Sequence, residues 1–400
     1  MYLPFKLFKF IFCTLLLINS ILCYDPAGRT SPNSVIIDDR LLIFSGYTNN
    51  NDYTFELFYL DLSKPFDNNN ITWTLIPEGS LPDYPTSTWS TPELGDVVPP
   101  RQNMKGVIDN SGIIYIFGGY NATNLIINEG YLFNDMNILR TDSKTWTTLS
   151  ISENLPIQCA EYTANILSNG IIVYVGGIEK VSVDANFTLV NMKEIKLFDT
   201  NKYEWSYINA VGDEIDPRWY FSSVLTPDGY IIIFGGTTFD HLTGVSPRLA
   251  MLDTNKNPFE WSIPSSSKAN SPPYIWRHVA NLYYDFMIIS FGMEINTQLY
   301  SSQVYLYNIK SNKWVTTYSP PSLIPKPSTT TSGTSTATVN PATNSPTKKP
   351  SNSLAIGLGT GIGVAVLVSC IFIATFVFRK ARRSRQRLDI LEIPGSNQFQ

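Results

Sequence analysis

The chain has 400 residues, of which 43% are hydrophobic and only 16% are charged, a composition typical of proteins with a large buried core and not of disordered ones. The formal net charge is −4, and basic residues concentrate near the two ends, so the region between them is more acidic than the whole. An acidic body argues against nucleic acid as a partner, because such binding needs a basic surface.

The first 23 residues are typical of a secretory signal. Lys6 and Lys9 precede an apolar run at residues 10–17, which is soon interrupted by two polar residues. Because the run is short for a membrane-spanning helix, we expect cleavage near Cys23, and an uncleaved anchor is the alternative.

Between residues 24 and 318 the chain repeats one pattern. An apolar run ends in glycine at residues 113–119 (IIYIFGG), 171–177 (IIVYVGG) and 230–236 (YIIIFGG), with weaker copies at 41–46 (LLIFSG) and 287–293 (MIISFGM). Polar turns such as Asn169-Gly170 and Asp228-Gly229 precede the runs and predict hairpins, because they supply the positive φ of tight turns. Each copy is followed by a second apolar run and then by a tryptophan: Trp73, Trp146, Trp205, Trp261 and Trp314.

Each repeat is predicted to form a four-stranded antiparallel blade of a β-propeller. The runs are continuously apolar, as in strands buried on both faces, and no helical period is present. The glycines are expected at backbone positions that a Cβ would block, and each tryptophan between two blades with its N–H bonded. The first interval is longer because of a proline-rich insertion at residues 75–100.

The pattern resembles the kelch repeat over about three quarters of the chain. The resemblance rests on the doublets Gly118-Gly119, Gly176-Gly177 and Gly235-Gly236, the pairs Asp142/Trp146, Asp199/Trp205 and Asp253/Trp261, and the arginines Arg101, Arg218 and Arg277 at the start of repeats. It implies an all-β, kelch-type β-propeller; five repeats are counted, and the number of four-stranded blades stays open between five and six. Ser45 replaces the first glycine in the first repeat, and Met293 replaces the second in the last.

Three segments follow the predicted propeller, which spans residues 24–318. Residues 319–353 are rich in Pro, Ser and Thr and predict an extended, O-glycosylated stalk or a plain flexible linker. Residues 354–378 are uncharged and long enough to cross a bilayer core of ~30 Å as a helix. The tail, 379–400, opens with the basic residues Arg379, Lys380, Arg382, Arg383, Arg385 and Arg387. The positive-inside rule then predicts a single-pass type I membrane protein with an extracellular or luminal propeller, at the cell surface.

Small residues in the predicted membrane helix suggest self-association. The spacing of Gly357, Gly359, Gly361 and Gly363 would let two such helices approach closely, which predicts a homodimer; the alternative is the ordinary abundance of glycine in these helices. Glycosylation sequons begin at Asn70, Asn121 and Asn186, all in predicted loops. Cys159 is the only cysteine between the two apolar ends, so no intramolecular disulfide is expected in the propeller.

Four arginines, Arg29, Arg101, Arg218 and Arg277, are predicted to surround one mouth of the propeller. Two roles are open for them: they bind a ligand, which should then be anionic because guanidinium pairs with carboxylates, or they tie blades together through backbone carbonyls. The first role predicts a membrane-anchored recognition or adhesion module for an extracellular protein or glycan. A scaffold within the secretory pathway is an alternative.

An enzyme is the other alternative, because the galactose oxidases also have kelch-like propellers. That resemblance implies a copper ion held by histidines and tyrosines, with one tyrosine joined to a cysteine. Copper needs several imidazoles, and the chain has only His241 and His278. Cys159 stands where other repeats place arginine, with Tyr162 nearby. No triad, carboxylate pair or zinc-type spacing is visible, so neither catalysis nor a metal or other cofactor is expected.

Overall fold

The computed structural model describes residues 24–49, 53–77, 94–124, 129–182, 185–239, 243–265 and 269–321. The predicted signal, almost all of the stalk, the predicted membrane helix with its glycines, and the basic tail lie outside this part of the chain. Within it, no helix is long and apolar enough to cross a membrane.

The described residues form five antiparallel sheets with four main strands each, which we number blades 1 to 5. The strands of blade 1 are Asn33–Ile37, Arg40–Phe44, Leu57–Asp61 and Trp73–Leu75, and those of blade 2 are Val107–Ile108, Ile113–Phe117, Met136–Arg140 and Thr145–Leu149. Blade 3 contains Thr163–Ile166, Ile171–Val175, Glu194–Asp199 and Glu204–Asn209, and blade 4 contains Ser222–Leu225, Tyr230–Phe234, Leu249–Asp253 and Glu260–Ser262. Blade 5 contains Val279–Tyr283, Phe286–Ser290, Val304–Asn308 and Lys313–Val315.

The strands of each blade follow one another as a meander from inside to outside. We call the first strand the inner strand, because the first strands of blades 2 and 3, 3 and 4, 4 and 5, and 5 and 1 approach one another. Leu94–Gly95 adds a parallel edge strand to blade 2, and Val211–Gly212 does the same for blade 4. The remaining short strands form small antiparallel sheets: Arg29–Thr30 with Tyr47–Thr48, Tyr120–Asn124 with Glu129–Leu132, Gln158–Ala160 with Ile178–Lys180 and Thr188–Leu189, Ile275–Trp276 with Met293–Glu294, and Phe66–Asp67 with Thr317–Tyr318.

The predicted hairpin turns are confirmed between the first and second strands of the blades. Gly112, Gly170 and Gly229 have φ of +79°, +84° and +87° in these turns, and Asp38 takes the left-handed conformation in blade 1. Such turns need positive φ, which glycine adopts without steric cost and Asp tolerates better than most residues. The Asn/Asp-Gly pairs therefore fix the register of each hairpin.

The glycine that ends each second strand lies close to the segment that leads into its own blade. Gly177 has φ +87°, and a Cβ on it would lie 2.5 Å from the Ala160 carbonyl oxygen, so no other residue fits without movement. In blade 5 the equivalent residue is Gly292, with φ +94°, and Phe291 takes the place of the first glycine. The prediction that Met293 replaces the second glycine is therefore wrong by one residue, because it counted from the sequence and not from the paired strand Phe286–Ser290.

The core lies between neighbouring blades. Separate apolar clusters join blades 2 and 3, 3 and 4, 4 and 5, and 5 and 1. All five predicted tryptophans are buried, and Trp261 Nε1 donates to the Met192 carbonyl over 2.8 Å. Trp205 departs from the expectation, because its Nε1 has no acceptor among the described residues.

Blade 5 packs against blade 1, so the last repeat joins the first. Ser34 Oγ donates to Asn281 Oδ1 over 2.7 Å between their inner strands, and Tyr318 Oη donates to the Leu62 carbonyl over 2.9 Å further out. These contacts bring the two ends of the repeat array together, as a propeller requires.

Candidate functional site

Three of the four predicted arginines hold their own blades together. Arg29, Arg101 and Arg218 are buried and occupy equivalent places before the inner strands of blades 1, 2 and 4. In each, Nε donates to the carbonyl two residues earlier over 3.0–3.3 Å, and Nη1 donates to the carbonyl at the first glycine position over 3.0–3.4 Å. We call this place the framework position.

Acidic partners complete two of these contacts. Arg29 pairs with Glu56 over 2.8 Å, and Arg101 pairs with both oxygens of Asp135 over 2.6 and 3.0 Å. Burial acts to raise the pKa of Asp135, but hydrogen bonds from Arg101 and Asn137 outweigh it and lower the pKa. Arg218 has a carbonyl, that of Ser246, in place of an acid, and burial lowers its pKa to about 10.

Arg277 has a different place from the other three. The framework position of blade 5 is Ile275, whose carbonyl accepts from Gly236, and Arg277 lies two residues later. In blade 3 the framework position is Cys159, whose carbonyl accepts from the Gly119 N–H in the same way. The sequence spacing also places Cys159 where other repeats have arginine. The four arginines therefore do not form one set.

Arg277 belongs to a second set, which we call the mouth ring. It contains the residue two places after each framework position, and every member has left-handed φ between +50° and +63°: Ser31, Asn103, Glu161, Tyr220 and Arg277. Backbone bonds connect its members in two groups: Ser31 N–H donates to the Arg277 carbonyl and Arg277 N–H to that of Tyr220, while Glu161 N–H donates to the Asn103 carbonyl, over 2.7–2.9 Å. Because these backbone N–H and carbonyl groups are already hydrogen-bonded, the side chains of the ring determine what it can bind.

Three members of the mouth ring form one polar network. Arg277 Nη2 donates to Tyr220 Oη over 2.5 Å, and its guanidinium carbon lies 4.0 Å from the centre of the Tyr220 ring. The Tyr220 hydroxyl in turn hydrogen-bonds the Glu161 carboxyl. Within the described residues, Oε1 of Glu161 and Nε of Arg277 have no hydrogen-bond partner although both atoms are buried. The network thus has two buried polar atoms that lack a partner in the described part of the chain, one on the carboxyl and one on the guanidinium.

Burial dominates the electrostatics of this network. It raises the pKa of Glu161 to about 8, against the opposing effects of Arg277 and the hydrogen bond from Tyr220. Aromatic side chains supply the low-polarity surroundings: the ring centre of Tyr220 is 4.2 Å from that of Trp219 and 5.3 Å from that of Trp276. The site therefore combines a carboxyl, a guanidinium and flat apolar surfaces.

Comparison with known proteins places the chain in a family. The family model described as the KLHDC2/KLHL20/DRC7 Kelch-repeats domain matches residues 80–238 and 188–340, together more than half of the chain. The chain belongs to the kelch-repeat family. Its kelch domain is the array of blades described above, which confirms the all-β, kelch-type β-propeller fold predicted from the repeats.

Several kelch proteins are similar at low identity. The chain is 25% identical over 213 residues to Kelch domain-containing protein 3 of Rattus norvegicus, covering 53% of this chain and 48% of the relative. It is 22% identical over 236 residues to Acyl-CoA-binding domain-containing protein 4 of Arabidopsis thaliana, covering 59% of this chain and 29% of the relative. The chain therefore spans less than half the length of these relatives. A solved structure titled "Structure of YjhT" aligns with a TM-score of 0.44 and 17% identity, over 74% of this chain and 85% of that one.

Of the residues considered for copper chemistry, Cys159 and Tyr162 lie in the apolar cluster between blades 2 and 3, whereas His278 lies beside Phe234 of blade 4. Cys159 is a free, buried thiol whose pKa burial raises to about 12, and Tyr162 Oη donates to the Phe117 carbonyl. His278 packs against Phe234, and its Nε2 lies 2.7 Å from Ser222 Oγ. No group of three or more potential metal ligands occurs in the described ranges, which omit His241.

Two of the three sequons are exposed on the kelch domain. Asn70 and Asn186 are exposed in loops, where a glycan would have room. Asn121 is half-buried within the strand Tyr120–Asn124, opposite Tyr131. The expectation of a loop is therefore wrong for Asn121, because the chain continues as a strand beyond its glycine doublet.

Sequence reasoning missed Glu161 and Tyr220. Neither residue belongs to a motif, because the mouth-ring position carries a different residue type in every blade. Their signal is positional: each lies two residues after the framework position, a place that becomes visible once the repeats are aligned on their paired strands.

Proposed function

We propose that this kelch protein is a recognition module that binds an extracellular protein or glycan at the mouth ring. The observation that carries the proposal is the contrast between the two sets of residues. Three of the five framework positions are arginines that bond inside their own blades, whereas all five mouth-ring positions share one backbone conformation and carry five different side chains. A regular scaffold with an irregular polar surface is suited to selecting one ligand.

The spare hydrogen-bonding groups define what such a ligand offers. Nε of Arg277 needs an acceptor, and so does the hydroxyl of Glu161 when this carboxyl is neutral, so a ligand that presents carboxylate, hydroxyl or amide oxygens satisfies the site. The charge of Arg277 favours a partly anionic ligand, and the half-buried Trp219 offers a flat surface beside Tyr220. The cost of leaving buried polar atoms unpaired is what ligand binding would relieve.

The same proposal includes an exported, single-pass type I protein at the cell surface. It is supported by the signal-like residues 1–23, the uncharged stretch 354–378 and the arginine-rich residues after it. Exposed Asn70 and Asn186 are compatible with glycosylation in the secretory pathway. Protease added to intact cells should remove the propeller and leave the tail, whereas a propeller that stays protected contradicts the proposed orientation. Surface labelling of the same cells distinguishes this protein from an internal scaffold.

Ligand capture by the full-length protein on cells tests the binding role. A photo-crosslinking amino acid at the exposed position Ser31 should capture a partner, and Glu161→Gln with Arg277→Gln should abolish the capture. The matched control is Glu204→Gln with Arg140→Gln, which makes the same chemical changes at exposed residues on the opposite end of the blades. Surface amounts of each variant are measured alongside. Unchanged capture by the mouth-ring variant, at equal surface amounts, contradicts the proposal.

A further inference from the structure

One joint of the propeller lacks the contacts that every other joint has. The glycine that ends the second strand donates its N–H to the framework carbonyl of the next blade between blades 2 and 3, 3 and 4, 4 and 5, and 5 and 1, over 2.9–3.0 Å. Gly46 of blade 1 makes no such bond to Arg101 of blade 2, although both residues are described. The apolar clusters show the same interruption, since none of them joins blade 1 to blade 2 within the described ranges.

Apolar side chains are exposed on both walls of this opening. Val35 on the inner strand of blade 1 is 42% exposed, whereas Val224, at the same place in blade 4, is 5% exposed. Ile108 on the inner strand of blade 2 is 56% exposed, whereas its equivalent Leu225 packs into the cluster between blades 3 and 4. Ile37 is 54% exposed on the same strand as Val35. Adjacent exposed apolar residues of this kind mark a surface that something covers.

The connection across this joint has extra length. Blades 3 and 4 provide the matched case: the outer strand Glu204–Asn209 is followed, after the single residue Ala210, by Val211–Gly212 on the edge of blade 4. Blade 1 connects to blade 2 by the same topology, but 18 residues, 76–93, separate Trp73–Leu75 from Leu94–Gly95. Residues 76–93 therefore start at one wall of the opening and end at the other.

The composition of this connection is complementary to the exposed residues on the two sides of the opening. Between residues 78 and 93 it contains Leu81, Tyr84 and Trp89, which can cover apolar surface, and three acidic residues with no basic one. Arg40 lies exposed on the same blade 1 wall, with its guanidinium 5.1 Å from the centre of the Tyr59 ring. Apolar burial and charge complementarity therefore favour the same occupant.

We propose that residues 78–93 dock between blades 1 and 2 and cover Val35, Ile37 and Ile108. The insertion then takes the place that a neighbouring blade occupies at the other four joints. This proposal does not depend on what the mouth ring binds.

Thiol labelling of the full-length protein tests the docking. Val35→Cys and Ile108→Cys are alkylated and quantified on their peptides by mass spectrometry, with Val181→Cys as the control, because Val181 is 73% exposed on blade 3. Docking predicts that both wall thiols react about tenfold more slowly than the control, as expected for sites reached only by local opening. Wall thiols that react as fast as the control overturn the proposal.

A variant without the native insertion tests which segment occupies the opening. When residues 78–93 are replaced by a Gly/Ser linker of equal length, the wall thiols should react as fast as Val181→Cys, while the buried Cys159 stays unreactive and reports an intact fold. Should that chain fail to fold, Tyr84→Ser with Trp89→Ser in the native insertion takes its place. Protection that persists without the native residues, or that appears only as protein concentration rises, assigns the opening to a partner or a second copy and overturns the proposal.

Discussion

The main-chain N–H of Gly292 in blade 5 donates to the carbonyl of Arg29, before blade 1, over 2.9 Å. The same bond joins Gly177 to Arg218 between blades 3 and 4, over 3.0 Å. The glycine therefore has two tasks at each joint, because it must adopt positive φ beside its own blade's lead-in segment and direct its N–H to the next blade. The arginine side chain, meanwhile, holds the segment whose carbonyl accepts the bond. Glycine and arginine, the two clearest marks of the repeat, act at one joint.

Replacing Gly177 with alanine should strongly destabilise the propeller. The new Cβ would lie 2.5 Å from the Ala160 carbonyl oxygen at φ +87°, so we expect a loss of about 2–4 kcal/mol in the free energy of unfolding. Gly106 is the control, because its φ is not positive and a Cβ there comes no closer than 3.6 Å to another residue. Denaturant unfolding should show a change below about 1 kcal/mol for Gly106→Ala. Similar losses for the two variants would show that the close approach is not as described.

Arg218 should contribute to stability and Arg277 to binding. Arg218→Met leaves the carbonyls of Asp216, Gly235 and Ser246 without this donor, and we expect a loss of about 3 kcal/mol. Arg140→Met, at an exposed residue, should change stability by less than about 0.5 kcal/mol.

The amount of each variant at the cell surface gives a second measurement. We expect less surface protein for Arg218→Met and near-normal amounts for Arg277→Met, because Arg277 is only half-buried and lies at the mouth. Equal loss of surface protein in both would mean that Arg277 is also structural.

Glu161 should make the propeller less stable as pH rises. Burial raises its pKa from an ordinary value of 4.5 to about 8, so the folded chain holds this proton more tightly than the unfolded chain does. The stabilisation is complete below about pH 4.5 and is lost as pH rises to about 8. Relative to Glu161→Gln, the native chain should lose about 2 kcal/mol or more over this window, since one pKa unit corresponds to about 1.4 kcal/mol. A pH-independent difference between the two chains would show that Glu161 is not buried as a neutral acid.

His278 should have the opposite pH dependence. Burial lowers its pKa from 6.5 to about 3, so the folded chain favours the neutral imidazole, whose Nε2 contacts Ser222 Oγ. The stabilisation is present above about pH 6.5 and is lost as pH falls towards 3. The stability difference between the native chain and His278→Gln should therefore shrink by about 2–4 kcal/mol between these pH values. Thermal unfolding of both chains in a pH series measures this difference. A stability difference that stays constant with pH would contradict the assignment of His278 as a buried neutral imidazole.

The blades could be predicted from the sequence because their signals are local. Turns such as Asn169-Gly170, the apolar runs and tryptophans such as Trp205 each reflect a steric or burial requirement within one repeat. The repeat of these signals also determined the fold family. An error appeared where a position was assigned by its spacing in the sequence and not by its place after a paired strand, as for Met293 in the last repeat.

The candidate site could be predicted only in part, because its geometry depends on register between strands. Arg277 resembles Arg218 in the sequence, yet it lies two residues beyond the framework position and has a different environment. Glu161 carries no motif, and its burial comes from packing against residues of other blades. The opening between blades 1 and 2 could not be predicted, because no sequence motif indicates that the described residues of these two blades lack the contacts found at the other joints.

Hydrogen–deuterium exchange of the full-length protein, with and without the ligand captured through the Ser31 crosslinker, tests the central claim most directly. Binding at the mouth ring predicts slower exchange in the segments around Asn103, Glu161, Tyr220 and Arg277. It predicts no change in the turns at Gly112, Gly170 and Gly229, at the opposite end of the blades. Protection at those turns, with none around Glu161 and Arg277, would contradict the claim that the mouth ring recognises the ligand.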